Sequence, residues 1–272
     1  FGEGGVVAIA RRGPPPIALG VAADGSVILV ARALSDDFGD YLVTKLTPSG
    51  ALDPSFGRGG EVRVDVGEDV AESVLLQPDG KIVVGGCTGE AFTLLRLRSD
   101  GSLDAGFARG GVSVTTHPGL RGTVVTLLPG PDAGYLAVGT IGDEAAGAGA
   151  IARFTASGEL DARFGDGGAA ILSPLAQRIR FAGAAVDARG AIVTGGNVLV
   201  DQVFVFALVR VDADGVLDST FGTDGVVLSR VGESSEVHAI AIAPDGGILA
   251  AGLSIDRGSI LFALARYGSG GR

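Results

Sequence analysis

LDPSFGRGG, residues 52–60, returns as LDAGFARGG at 103–111, LDARFGDGG at 160–168 and LDSTFGTDG at 217–225, and its second half, FGEGG, opens the chain. Aligning the copies on Phe1, Phe56, Phe107, Phe164 and Phe221 gives steps of 55, 51, 57 and 57 residues. Helical solenoids repeat at shorter intervals and carry helical spacing, which this chain lacks. A period in this range with several short strands per unit is the mark of a β-propeller blade or a related array.

Each unit reads as four strands. One follows the Phe-Gly turn, as in EVRVDV (61–66) and VVLSRV (226–231). A hairpin comes next: ALGVAADGSVILVA (18–31), SVLLQPDGKIVVGG (73–86), GAAVDARGAIVTGG (183–196) and AIAIAPDGGILAAG (239–252). Its Pro-Asp-Gly type of turn has a mechanism, since Pro presets φ, Asp bonds its own backbone and Gly takes a positive φ. The fourth strand is FTLLRLRSDG (92–101), FALVRVDADG (206–215) or FALARYGSGG (262–271). Strands apolar on both faces suit sheets stacked between neighbours.

The succession FGxGG, PDGKI and FALxRxxxDGxLD resembles the delta-60 repeat family of predicted β-propellers. The resemblance covers essentially the whole chain. It implies a propeller fold and a bacterial secreted or cell-surface setting, and it implies no reaction. Five post-Phe strands and five sets of the other three predict one all-β domain over residues 1–272. The expected form is a five-bladed β-propeller of four-stranded antiparallel blades, with repeats beginning near Phe1, Phe56, Phe107, Phe164 and Phe221. It is closed by pairing the N-terminal strand, FGEGGVVAIA (1–10), with the C-terminal three strands that end in ILFALARYGSGG (260–271). Closure removes exposed strand edges. The competing expectation is five repeats taken from an array of six to eight. The first residue is not Met, which points to a beginning that was processed, trimmed or not included.

The repeated Phe is read as a wedge between blades and the glycines after it as a tight bend. GRGG and GDGG are not phosphate loops, because a strand rather than a helix leads out of them. A basic residue holds one register in all five units: Lys45, Arg96, Arg153, Arg210 and Arg266. Asp53, Asp104, Asp161 and Asp218 follow the first four at a spacing of eight residues. In FALVR the Phe, Leu and Arg share one strand face, so the cation is carried among apolar groups and needs a partner. A basic–Asp pair in each blade is expected, and a ring of guanidinium groups around a central anion is the sharper alternative. Arg266 lacks its acid and is the odd one out.

Of the 272 residues 46% are hydrophobic and 19% charged, enough for a large core. A net charge of −10 argues against nucleic acid, whose phosphates need a basic face, and suits a monomer that repels its copies. No apolar run is long enough to span a membrane. Cys87 stands alone, so no internal disulfide forms. With no Trp and only Tyr41, Tyr135 and Tyr267, stacking of sugars is disfavoured.

Function is sought in the stretches that do not repeat, where a rigid scaffold usually carries its binding groups: 11–16, 35–40, 67–72, 116–122, 142–149, 173–180, 197–202, 232–237 and 254–258. Two of them are acidic: Glu68, Asp69 and Glu72 in one, Glu233 and Glu236 in the other, with His238 nearby. Carboxylates with His suit acid–base hydrolysis or a metal, and solvated loop charge is the plainer reading. His117 and His238 lie on non-adjacent units, a poor start for zinc. No nucleophile elbow is present. No cofactor is expected. Calcium would need DADG (212–215), with Asp212, Asp214 and Asp218 as ligands. Three classes follow: a non-catalytic scaffold for protein or extracellular polymer contacts, a small-ligand, sugar or metal-binding module, and a hydrolase or lyase with an acidic central mouth. A cluster of Glu72, Glu236 and His238 would favour the last.

Overall fold

The computed structural model of the chain describes residues 1–9, 15–34, 39–142, 147–172 and 179–272. The described residues form five antiparallel sheets in chain order. The first holds β1 (Ala18–Val21), β2 (Val27–Leu34), β3 (Gly39–Leu46) and β4 (Glu61–Val64). The second holds β5 (Asp69–Leu76), β6 (Ile82–Thr88), β7 (Ala91–Leu97) and β8 (Val112–Val114). The third holds β9 (Gly122–Pro129), β10 (Tyr135–Ile141), β11 (Ala148–Phe154) and β12 (Ala169–Leu172). The fourth holds β13 (Ile179–Val186), β14 (Ile192–Val200), β15 (Val203–Val211) and β16 (Val226–Ser229). The fifth holds β17 (Ser234–Ile242), β18 (Ile248–Asp256) and β19 (Ser259–Tyr267). Within each sheet the strands lie in sequence order. The repeated cassette therefore falls inside a sheet, between the third strand and the short fourth one, and a frame drawn on Phe cuts each sheet before its last strand.

Turn chemistry sets these hairpins. Asp24, Asp79 and Asp245 accept the backbone N–H two residues on, at 2.8, 3.2 and 3.0 Å. Gly25, Gly80, Gly190 and Gly246 take the positive φ that follows. Stacking between sheets makes the core. One apolar cluster fills each seam, from Val30, Val43 and Val84 between the first two sheets to Phe206, Leu208 and Val237 between the last two. Phe56, Phe107, Phe164 and Phe221 are all fully buried, each burial stabilising by about 1.5–3 kcal/mol. Each ring lies against a turn glycine of the next blade, respectively Gly101, Gly158, Gly215 and Gly271. Those glycines have positive φ and no room for a Cβ.

The first strands of the second to fifth sheets share a device absent from β1. Each ladder slips by one residue, at Glu72, Val125, Ala182 and His238. This is a β-bulge, in which two residues face one on the partner strand. The facing residues are Gly86, Gly139, Gly196 and Gly252, and a Cβ on them would come within 1.8–2.0 Å of a carbonyl oxygen across the ladder. β1 pairs with β2 without a slip, and Ala31 fills the glycine's place there.

The expected closure is not in the structure. The fifth sheet has three strands, and no described N-terminal residue pairs with β19. Instead the Phe1–Gly2 turn sits on the first sheet, where Gly2 N donates to the Ser49 carbonyl at 2.7 Å. Glu3 and Val6 then bridge each other, so this segment is folded on itself rather than extended along β19. The third-blade hairpin also departs from the rest, its turn being a short 3-10 segment at Pro131–Ala133 with Asp132 at φ 53°.

Gly196→Ala should lower stability by about 1–3 kcal/mol or more, because its Cβ meets backbone rather than a mobile side chain. Gly270→Ala, in open space at ordinary φ, should change it little. Guanidinium unfolding midpoints of the two variants test this, and equal midpoints would remove the steric account.

Candidate functional site

The repeated ionic residues form the seams. Lys45 Nζ lies 3.0 Å from Asp53, and the Arg96–Asp104, Arg153–Asp161 and Arg210–Asp218 pairs meet at 2.9, 2.9 and 2.8 Å. Each Arg also lies over the Phe of its own cassette, 4.6, 5.0 and 4.6 Å from the centres of Phe107, Phe164 and Phe221. Nη1 of each crosses to the next blade, where it donates to the carbonyl of Ala156, Ala213 or Ser269. Arg96 also donates to the Tyr135 hydroxyl at 2.9 Å. A planar guanidinium serves all of these directions at once, whereas an ammonium is a point charge. Among the described residues Lys45 has no bond to the following blade. Arg266 turns to Asp245 on the neighbouring hairpin. These contacts run between adjacent blades and form no ring about a central anion.

The acidic candidates do not converge. Glu68 and Glu233 are exposed, Asp69 is buried, and Glu72 and Glu236 are half-buried. Asp69 and Glu72 belong to β5 and Glu236 and His238 to β17, so the strands reach further into these stretches than the sequence suggested. The bulges put Glu72 in register with His238, three blades away. His238 lies 3.8 Å from Glu236 on an exposed surface. Among the described residues, no hydrogen bond or ion pair joins Glu72 to either. Burial raises the carboxyl pKa of Glu72, and of Asp69 as well. His117 has a structural role: Nδ1 accepts from Gly119 N, and Nε2 faces the Asp166 carbonyl at 3.0 Å.

The DADG stretch makes a turn rather than a cation loop. Asp212 Oδ1 accepts from the N–H groups of Asp214 and Val216, and Asp218 is held by Arg210 and the Thr220 hydroxyl. Asp212 and Asp218 are therefore directed to separate partners, and among the described residues the three acids do not gather into one group. The carboxylates that do approach one another among the described residues are Asp40, Asp65 and Asp69, with oxygens within 4.8 Å. Arg63 binds Asp40, and Asp69 accepts from Val66 N and the Thr88 hydroxyl. Their approach joins β3, the end of the first sheet and β5, a juxtaposition no local pattern announces.

A cavity of about 650 Å³ opens between the second, third and fourth blades, at the end opposite the repeated turns. Cys87, Val125 and Phe181 give it apolar walls, Thr123 and Thr140 bring hydroxyls, and Arg121 and Glu90 pair at its rim. Burial pushes the Cys87 thiol pKa up. Nothing in the repeat marks this cavity, because it is lined by residues that differ from blade to blade. Residues 11–14, 35–38, 143–146 and 173–178 of the variable stretches lie outside the described residues.

Three stretches of the chain, residues 22–56, 77–107 and 190–221, match the family model described as a domain of unknown function (DUF5122) beta-propeller. Each match ends on the cassette Phe, so the chain carries β-propeller repeats. No curated protein matches it in sequence. Among solved structures it is similar to a catalytically inactive virginiamycin B lyase from Staphylococcus aureus with quinupristin, at 12% identity and a TM-score of 0.51, over 97% of this chain and 87% of that one. The PQQ-bound aldose sugar dehydrogenase from Streptomyces coelicolor is 13% identical, with a TM-score of 0.49 over 93% and 80% of the two chains. A calcium-binding regucalcin from Agrobacterium tumefaciens is 15% identical, with a TM-score of 0.44 over 88% and 68%. At such identities the lyase shows a shared fold and nothing of its chemistry.

Arg96→Ala leaves Asp104 and the Ala156 carbonyl without their donor and should cost about 3–5 kcal/mol, whereas Arg96→Lys, which imitates Lys45, should cost about 1.5–3 kcal/mol. Denaturant midpoints distinguish the two, and an Arg96→Lys midpoint equal to the wild type's would mean that the crossing bond contributes nothing.

The seam also fixes the acid limit. The Ser55 hydroxyl first, then Lys45, hold Asp53 down at about 2. Arg163 first, then Arg153, hold Asp161 below the usual range, and Thr220 first, then Arg210, do so for Asp218. Carboxylates depressed by folding stabilise above their unfolded value and lose that contribution as pH falls through the folded one. Unfolding midpoints should therefore drop between about pH 4 and about pH 2, and Asp53→Asn should soften the drop. A midpoint constant across that window would refute the pairing.

Proposed function

We propose that this protein is a non-catalytic β-propeller scaffold that holds a protein or an extracellular polymer on the face opposite its repeated turns, at or outside the bacterial cell surface. One observation carries the reading: the repeated charged groups are committed to the seams, while the groups that differ between blades gather at the other end around the cavity. Catalysis by acid and base needs both groups within reach of one substrate atom, and among the described residues His238 pairs with Glu236 while Glu72 joins neither of them. The surroundings favour binding on physical grounds, with apolar walls and a few polar groups to orient a ligand. The cavity itself supports a second reading, a module for a small amphipathic ligand.

Thermal melts followed by circular dichroism, with calcium, with EDTA, and with soluble sugars and acidic polymers, separate these readings. A ligand that binds the folded state raises the midpoint by mass action. A rise with one small compound that disappears in Arg121→Glu, an exposed rim position, would establish the second reading. A macromolecule captured by the wild type and lost with Arg121→Glu is the result expected of the scaffold. Turnover of any compound in the panel would overturn both.

A further inference from the structure

The second strand of the third blade sets its first residue, Tyr135, against the arginine of the blade before it. Tyr135 pairs with Phe154 across the ladder and is 1% exposed. Its hydroxyl accepts from Arg96 Nη1 at 2.9 Å, and its ring meets Phe107 edge-on at 5.9 Å. Nη1 carries two N–H groups, so the other serves the Ala156 carbonyl at 2.7 Å. A phenol thus completes this seam, and Arg96 is 8% exposed beneath it.

The fifth blade has Ile248 in that register, paired with Tyr267 as Tyr135 is with Phe154. The preceding turn has equal length, since Ala243 N donates to the Gly247 carbonyl as Gly130 N does to that of Gly134. Isoleucine is shorter than tyrosine and has no hydroxyl. Arg210, the arginine of the fourth blade, keeps its Nη1 bond to the Ser269 carbonyl and its hold on Asp218. Among the described residues the second N–H of its Nη1 has no acceptor. Arg210 and Thr220 line a cavity of about 540 Å³ between the fourth and fifth blades, at the end of the repeated turns. Val186, Val193, Ile242 and Ile248 give it an aliphatic wall. What Tyr135 supplies at the second seam is therefore missing at the fourth, where there is room for it.

We propose that this cavity binds a phenolic group from outside the chain, with the ring against the aliphatic wall and the hydroxyl accepting from Arg210 Nη1 as Tyr135 accepts from Arg96. A neutral acceptor suits the site better than an anion. Asp218, 2.8 Å from Arg210 Nε, already balances the guanidinium, so a second negative charge would be left without a partner. Free phenols and the tyrosine side chain of a peptide share this chemistry. The site lies at the opposite end of the blades from the Arg121 cavity and stands independently of any ligand held there.

Calorimetric titration of the full chain with p-cresol, which is the tyrosine side chain alone, and with toluene, the same molecule without its hydroxyl, tests the proposal. p-Cresol should bind about tenfold or more tightly than toluene, the factor of one hydrogen bond to a charged donor. Ile248→Tyr, which installs the third blade's residue, should abolish p-cresol binding and raise the thermal midpoint. Arg121→Glu, at the other cavity, should leave p-cresol binding unchanged. N-acetyltyrosinamide separates the two sources: tighter binding than p-cresol identifies a peptide tyrosine, and weaker binding a free phenol. No binding of p-cresol to the wild type, or toluene binding as tightly, would overturn the proposal without recourse to any variant. Binding that survives in a folded Ile248→Tyr chain, or that disappears with Arg121→Glu, would put the phenol elsewhere and overturn it equally.

Discussion

A guanidinium group held in three directions organises this molecule. Arg96, Arg153 and Arg210 each bind an aspartate of their own cassette, lie over its Phe, and donate to a carbonyl of the next blade. A charge carried so far from water needs every one of these contacts, since an unpaired buried ion costs several kcal/mol. Meeting them fixes the orientation of the cassette turn, the depth of the Phe and the distance between neighbouring sheets. The nine repeated letters are the parts of that contact, arranged so that one strand and the turn after it deliver cation, acid and ring together.

At the opposite end a different constraint prevails. The bulges at Glu72, Val125, Ala182 and His238 bend the innermost strands at one height, and a glycine faces each because the bulged backbone occupies the space of a side chain. The backbone is thereby the same in four blades, while the four bulged residues are an acid, two aliphatic groups and a histidine. A constant frame thus presents varied chemistry from blade to blade.

Much of this could be read from the residues. The Phe period, the Asp-Gly turns and the eight-residue interval from base to acid are local, and they recur often enough to stand out. What escaped reading joins residues that are distant in the chain and unlike one another. The carbonyls that accept from the arginines have no signature, because any residue supplies one. The glycine pairs at 85–86 and 195–196 were legible as the ends of strands, but their role opposite a bulge depends on register. The acidic stretches looked like loops because polar residues in an inner strand interrupt the apolar pattern, yet Asp69 and Glu236 are in ladders. Closure was inferred from complementary end fragments, and the structure seats the first of them on the first blade instead. The approach of Asp40, Asp65 and Asp69 left no trace in any repeat.

The seam has a polarity. On its giving side it demands an arginine, an aspartate and a phenylalanine in fixed places. On its receiving side it asks only for a main-chain carbonyl and a glycine that lets the ring come close. Ala156, Ala213 and Ser269 meet the first demand equally well despite their different side chains. A blade copied from one place in the array to another therefore brings its own grip and finds a surface ready to be gripped. An array built this way extends by one more unit without a new kind of interface, and the unequal steps between its phenylalanines show that the seam holds intervening stretches of different length.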